Sequence, residues 1–97
     1  MSDVSVVQNP DRHRYEAFLG EELAGFAVYQ LREGVIDFVH TEVDDAFEGH
    51  GVGGALARGA LDDVRRDGTR KVVATCPFIK QWIDRHDDYT DLLEATA

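Results

Sequence analysis

Four glycines fall within the six residues "GHGVGG" (Gly49 to Gly54), and a helix-forming run, "ALARGALDDVRRDG", follows at once. No other stretch limits the fold as tightly. Glycine enters left-handed backbone without steric cost and leaves the main chain open to close approach by another group. Beyond the cluster, Val52, Leu56, Ala60 and Val64 recur every four residues, and Ala55, Ala57 and Leu61 widen them into one apolar stripe. That stripe predicts a helix laid along a sheet. Gly68 follows Asp67 as a left-handed stop.

The flanks of the helix define the sheet. Upstream lies "VIDFVHTEV" (Val35 to Val43), and downstream "KVVATC" (Lys71 to Cys76) has the length and β-branching of a buried strand. Two strands joined through one helix form a right-handed parallel crossover, with the N-terminus of the helix at the carboxyl ends of the strands. Before the crossover, Val4 to Val7 is β-rich, "NPD" turns the chain, and "RYEAFLG" sets Tyr15, Ala17 and Leu19 against Arg14, Glu16 and Phe18. "GEE" and then Glu33–Gly34 turn it again around "LAGFAVYQLRE". The expected fold is α/β (α+β): a four-stranded antiparallel meander, a helix, a parallel fifth strand and a C-terminal helix. Pro77 opens that last helix, where Phe78, Trp82 and His86 share a side with Ile79 and Ile83 beside them, and the end of "DDYTDLLEATA" should fray. A chain of 97 residues suits a single domain over 1–97.

Charge and composition remove several functions. Nineteen acidic against ten basic residues give a net charge of −9, which repels nucleic acid. No apolar run approaches the roughly 20 residues that cross a bilayer, so no membrane partner is expected. "MSDVSVVQNPDRHR" lacks the parts of a secretory signal, which predicts a cytoplasmic protein. Cys76 is the only cysteine, so an intramolecular disulfide and a four-cysteine zinc site are excluded, and no metal site is predicted. Exposed sheet edges allow a monomer or a weak homodimer.

The glycine cluster is suited to an anion. Amides of Gly51, Val52, Gly53 and Gly54 can reach a phosphate with no Cβ in the way, and the helix dipole favours negative charge there. Gly49, Gly51 and Gly54 match G-x-G-x-x-G, yet a dinucleotide fingerprint belongs after the first strand of a parallel sheet and needs an acid after the next strand. Here a meander precedes it, and Cys76 and Pro77 stand in place of the acid. A P-loop is excluded by its missing lysine. Lys80 and Arg85 could reach a nucleotide phosphate, but charged helix faces more often meet only water.

Two positions carry chemistry near neutral pH. A regular pleat over Val35 to Val43 puts Ile36, Phe38, His40 and Glu42 on one face. His40 is then either a general base or a histidine satisfied by a backbone partner. Glu42 is either its catalytic neighbour or half of a surface salt bridge. Cys76 ends the adjacent strand at the start of the last helix, a position that favours the thiolate; it is a nucleophile, a proton donor or a small apolar core residue. On neighbouring strands, His40 and Cys76 are expected to face one another.

The combination of "VHTEV", "EGHGVGGAL", a helix and "CPFIKQW…H…Y.DL" resembles the acetyl-CoA-binding core of the GCN5-related N-acetyltransferase (GNAT) superfamily, and in particular its very small single-domain branch of YjdJ type. The resemblance runs from about Val35 to Leu92. It implies that amides of Gly51, Gly53 and Gly54 hold the coenzyme A pyrophosphate, with Gly49, His50 and Val52 completing the loop. It also implies that the main chain near Val43 pairs with the pantetheine arm, and that the thioester lies where the parallel strands splay apart. The implied activity is acetyl transfer from acetyl-CoA to an amine. Glu48 departs from the Gln or Arg usual in the family, His50 stands where a basic residue is common, and the closing strands of full-length members are missing. A non-catalytic coenzyme A or acyl-CoA binding module, or an interaction domain on the same fold, is the alternative.

Overall fold

The computed structural model describes residues 4–94. The expected frayed end therefore lies in part, over 95–97, outside the described residues. The strands are β1 (Val4–Asn9), β2 (Arg14–Leu19), β3 (Glu22–Arg32), β4 (Val35–Val43) and β5 (Lys71–Ala74), and the helices are α1 (Val52–Asp67) and α2 (Pro77–Asp84). Short 3-10 turns at Pro10–Arg12, Asp45–Phe47 and Asp87–Leu92 fill the connections. One sheet runs in the order β1-β2-β3-β4-β5, antiparallel through β4 and parallel between β4 and β5. The expected meander and crossover are both present. α1 stops at Gly68, whose N–H bonds back to the Val64 carbonyl at 3.0 Å.

The predicted stripe on α1 is buried at Val52, Leu56, Ala57, Ala60, Leu61 and Val64, while Ala55, also expected in it, is only half-buried. It meets Tyr15, Ala17, Ala27, Tyr29, Ile36 and Phe38 on one sheet face. Each fully buried Leu, Val or Phe there contributes about 1.5–3 kcal/mol. Ile79, Trp82 and Ile83 of α2 extend the same core. β1 comes close enough to α1 that a Cβ at Gly59 would lie 2.8 Å from Val6 Cβ.

The structure corrects the pleat of β4. His40 pairs with Val28 while Phe38 pairs with Tyr29, so Val39 is an extra residue, a bulge in the ladder. An inserted residue reverses the alternation beyond it. Thr41 and Val43, opposite Ala27 and Gly25, therefore join Ile36 and Phe38 on the helix-covered face. His40 and Glu42 pass to the other face, in register with Val28 and Phe26. Ile36 and Phe38 do not share a side with His40 and Glu42. β5 is also shorter than expected and ends at Ala74.

Candidate active site

The connection from β4 to α1 is held by its own backbone. Asp44 accepts the Ala46 N–H at 2.9 Å, and Glu48 and His50 donate their N–H groups to the Asp45 and Phe47 carbonyls. Gly49 and Gly51 then take φ of +84° and +73°, which costs an L-residue roughly 1–2 kcal/mol. Those two glycines are required by the path of the chain. Gly53 and Gly54 are less constrained: a Cβ at the first would lie 2.9 Å from Phe78 Cζ, the free end of a half-exposed ring, and at the second would meet Trp82 Nε1 at 3.8 Å, an ordinary contact.

The first helical bond of α1 runs from the Ala55 N–H to the Gly51 carbonyl at 3.0 Å, so the amides of Val52, Gly53 and Gly54 precede the ladder. Gly51 supplies no side-chain cap, and no acid sits in the first turn. The Val52 side chain is buried, so only its amide can serve a ligand. Three aligned donors thus share one end of the helix dipole.

This cradle adjoins a gap in the sheet. The β4–β5 ladder ends at Phe38↔Ala74, with a last bond from the Cys76 N–H to the Phe38 carbonyl at 2.8 Å. β4 then continues through Val43 while the chain beyond Ala74 turns into α2. The stretch Val39 to Val43 presents a main-chain edge that no described strand pairs on the β5 side.

Cys76 and His40 lie on different sides of this gap. Cys76 is buried, and its thiol donates to Thr41 Oγ1 at 3.4 Å, placing it with the helix-covered face. His40 is exposed; its Nε2 lies 3.9 Å from Glu42 Oε1, and its ring is tilted over Phe26 at 6.3 Å. The expectation that His40 and Cys76 face one another is overturned by the Val39 bulge. Beside His40, a groove of about 430 Å³ is lined by Leu23, Gly25, Phe26, Glu42, Asp44 and Asp45.

A second groove, of about 380 Å³, runs from the glycine cradle between the helices and is lined by His50, Gly51, Gly54, Arg58, Trp82 and His86. His86 stacks on Trp82 at 3.8 Å and 12°, with Nδ1 2.6 Å from the Trp82 carbonyl. The Arg58 guanidinium lies 5.4 Å from the Trp82 ring centre and 5.8 Å from that of Tyr89. Sequence reasoning missed Arg58 and left Trp82 and His86 as packing. The available signal was the spacing Gly51, Gly54, Arg58, which puts all three on one helix face. Lys80, considered for a phosphate, pairs loosely with Asp84 at 3.9 Å instead. Among the described residues, no three His, Cys, Asp or Glu side chains converge as a metal would need, and no helix is long and apolar enough to cross a membrane.

A family model described as GCN5-related N-acetyl-transferase matches residues 14–92. The solution structure of a GCN5-like protein from Staphylococcus aureus superposes with a TM-score of 0.71 at 23% identity, covering 100% of this chain and 94% of that one. Ribosomal-protein-alanine N-acetyltransferase from Brucella melitensis biovar Abortus 2308 gives 0.57 at 21% identity, covering 87% of this chain and 62% of that one. Protein NATD1 of Bos taurus is 41% identical over 49 residues, which span 50% of this chain and 42% of that relative. The match thus takes in less than half the length of the curated relative.

Proposed function

The chain belongs to the GCN5-related N-acetyltransferase family, and on that premise we propose that it transfers an acetyl group from acetyl-CoA to an amine. The observation that carries the reading is the uncapped start of α1, entered through left-handed Gly49 and Gly51 beside the unpaired edge of β4. These residues fit the coenzyme. Amides of Gly51 to Gly54 suit its diphosphate, and the main chain from Val39 to Val43 suits the amide-bearing pantetheine arm. Glu48 opposes the fit with one negative charge, while His50 and Arg58 line the same groove.

Bound acetyl-CoA supplies an activated acyl carbon. The sheet then divides the work between its faces. Coenzyme enters along the helices, and the amine enters from the face bearing His40, Glu42 and the acidic groove. His40 accepts the proton that the amine loses as its nitrogen bonds to the acyl carbon, directly or through one water. Glu42 positions the imidazole. As the carbon–sulfur bond breaks, the thiol of Cys76 gives its proton to the departing sulfur and regains one through the half-buried Thr41 hydroxyl beside it. Direct transfer accounts for a buried cysteine hydrogen-bonded to Thr41 better than an acylated cysteine does. A lone free cysteine suits a reducing compartment, and the cytoplasm is the proposed location.

The long, exposed His40–Glu42 contact favours the second reading, a coenzyme A-binding module without turnover. Titration of labelled protein with acetyl-CoA tests the first step, with saturable shifts expected at the amides of Gly51, Gly53 and Gly54. Release of free thiol in the presence of a polyamine or a lysine peptide tests the second. His40→Gln should lower kcat about 10²- to 10⁴-fold with coenzyme affinity unchanged. Unmoved glycine amides at millimolar ligand would remove coenzyme binding, and turnover unaffected by His40→Gln would remove the base.

A further inference from the structure

We propose that Arg58 binds the 3′-phosphate on the ribose of coenzyme A, and so makes this protein select coenzyme A over its dephospho form. The inference rests on the coenzyme reading above and names a contact that the glycine loop cannot make.

The loop from Glu48 to Gly54 holds one carboxylate and no lysine or arginine. In chain order the next lysine or arginine is Arg58, on α1. Arg58 follows Gly54 by four residues, one turn along the same face, and lines the same groove. Its guanidinium sits over the faces of Trp82 and Tyr89, and Nη1 donates to Tyr89 Oη at 3.3 Å. The Tyr89 hydroxyl in turn donates to Asp62 at 2.6 Å, and the Trp82 ring packs edge-on to Tyr89 at 5.0 Å. Two buried aromatic rings from α2 and the turn after it therefore fix an exposed arginine that lines the groove.

Position decides which phosphate it meets. The diphosphate belongs on the axis of α1, where the first-turn amides converge. A group displaced toward α2, one turn beyond Gly54, is placed for the next phosphate of the ligand. Planar donors suit a phosphate monoester, which presents two or three oxygens to a bidentate fork. The stacked Trp82 and His86 lie alongside in the same groove.

The test compares coenzyme A with dephospho-coenzyme A, which lacks only the 3′-phosphate, by calorimetry on the full chain. Wild-type protein should bind coenzyme A more tightly, and Arg58→Gln should weaken coenzyme A roughly 10- to 100-fold while weakening dephospho-coenzyme A, which keeps the diphosphate, by a distinctly smaller factor. Arg58→Lys, which keeps the charge and loses the planar fork, should fall between. Thermal unfolding of each variant separates a loss of ligand from a loss of fold. Equal weakening of both ligands by Arg58→Gln, or no weakening of either, overturns the proposal. If wild-type protein shows no glycine-amide shifts with either ligand, the coenzyme reading fails and takes this one with it. Shifts at the glycines with equal affinity for both ligands leave the coenzyme reading standing and reject Arg58 alone.

Discussion

Replacing Gly51 by Asn and, separately, by Asp isolates the electrostatics of the cradle from its geometry. Gly51 has φ of +73°, and a Cβ built there meets nothing within 4 Å, so either side chain points into open space. Asn and Asp are the non-glycine residues that best tolerate this conformation, so each should cost about 1 kcal/mol of stability. In a domain of this size that lowers Tm by about 4–8 °C, equally for both variants. The two differ by one negative charge. At ~5 Å from a bound diphosphate and an effective dielectric of ~20, that charge opposes binding by about 3 kcal/mol per phosphate charge. Exposure of the loop and salt reduce the effect to about 1–2 kcal/mol, or roughly a 5- to 30-fold higher Kd for Gly51→Asp than for Gly51→Asn. Calorimetric titration with coenzyme A at low salt measures the ratio, and raising the salt should shrink it. Matching affinities in the two variants, with matching Tm, would refute an anion at the start of α1.

Gly59→Ala should destabilise the protein by about 1–2 kcal/mol even though alanine is the better helix former, because the new Cβ meets Val6 Cβ at 2.8 Å and both its methyls at 3.0 Å. Gly53→Ala should be close to neutral, since its Cβ meets only the far end of the half-exposed Phe78 ring, which can swing aside; the denaturant midpoints of the two variants should separate them. The Tyr15 hydroxyl donates to Asp63 at 2.6 Å and, with Arg66, holds that carboxyl below its usual range. A lowered carboxyl contributes stability above its unfolded pKa and loses it as pH falls through the folded one, so Tyr15→Phe should destabilise at neutral pH and progressively less below about pH 4. Burial and Asp63 together raise the Tyr15 phenol, so wild-type protein should also lose stability above about pH 10, in a step absent from Tyr15→Phe.

Much of the architecture was legible in the residues. Element order, the parallel crossover through α1, the buried stripe from Val52 to Val64 and the stop at Gly68 all follow from local rules: apolar period, β-branching and the conformational freedom of glycine. The glycine-entered start of α1 was legible for the same reason, since Gly49 to Gly54 and the helix are contiguous in the chain. Period-2 reasoning failed within β4. "DFVHT" is apolar at two successive positions, Phe38 and Val39, so nothing local says which residue is the extra one. Pairing with β3 settles it, because Tyr29 takes Phe38 and Val28 takes His40. One inserted residue then moved His40 and Glu42 to the face opposite Cys76 and brought Thr41 to the thiol. The spacing put Arg58 on the face of Gly54, but the aromatic surroundings of its guanidinium were illegible for a related reason. Its hydrogen-bond partner Tyr89 lies 31 residues away, and only the docking of α2 and the turn after it against α1 brings aromatic faces to a guanidinium beside the glycines. The sequence by itself determined the elements and the loop, which depend on neighbours along the chain. Tertiary structure decided which side chains share a face and a groove, because strand register and helix docking arise from contacts between residues far apart in the sequence.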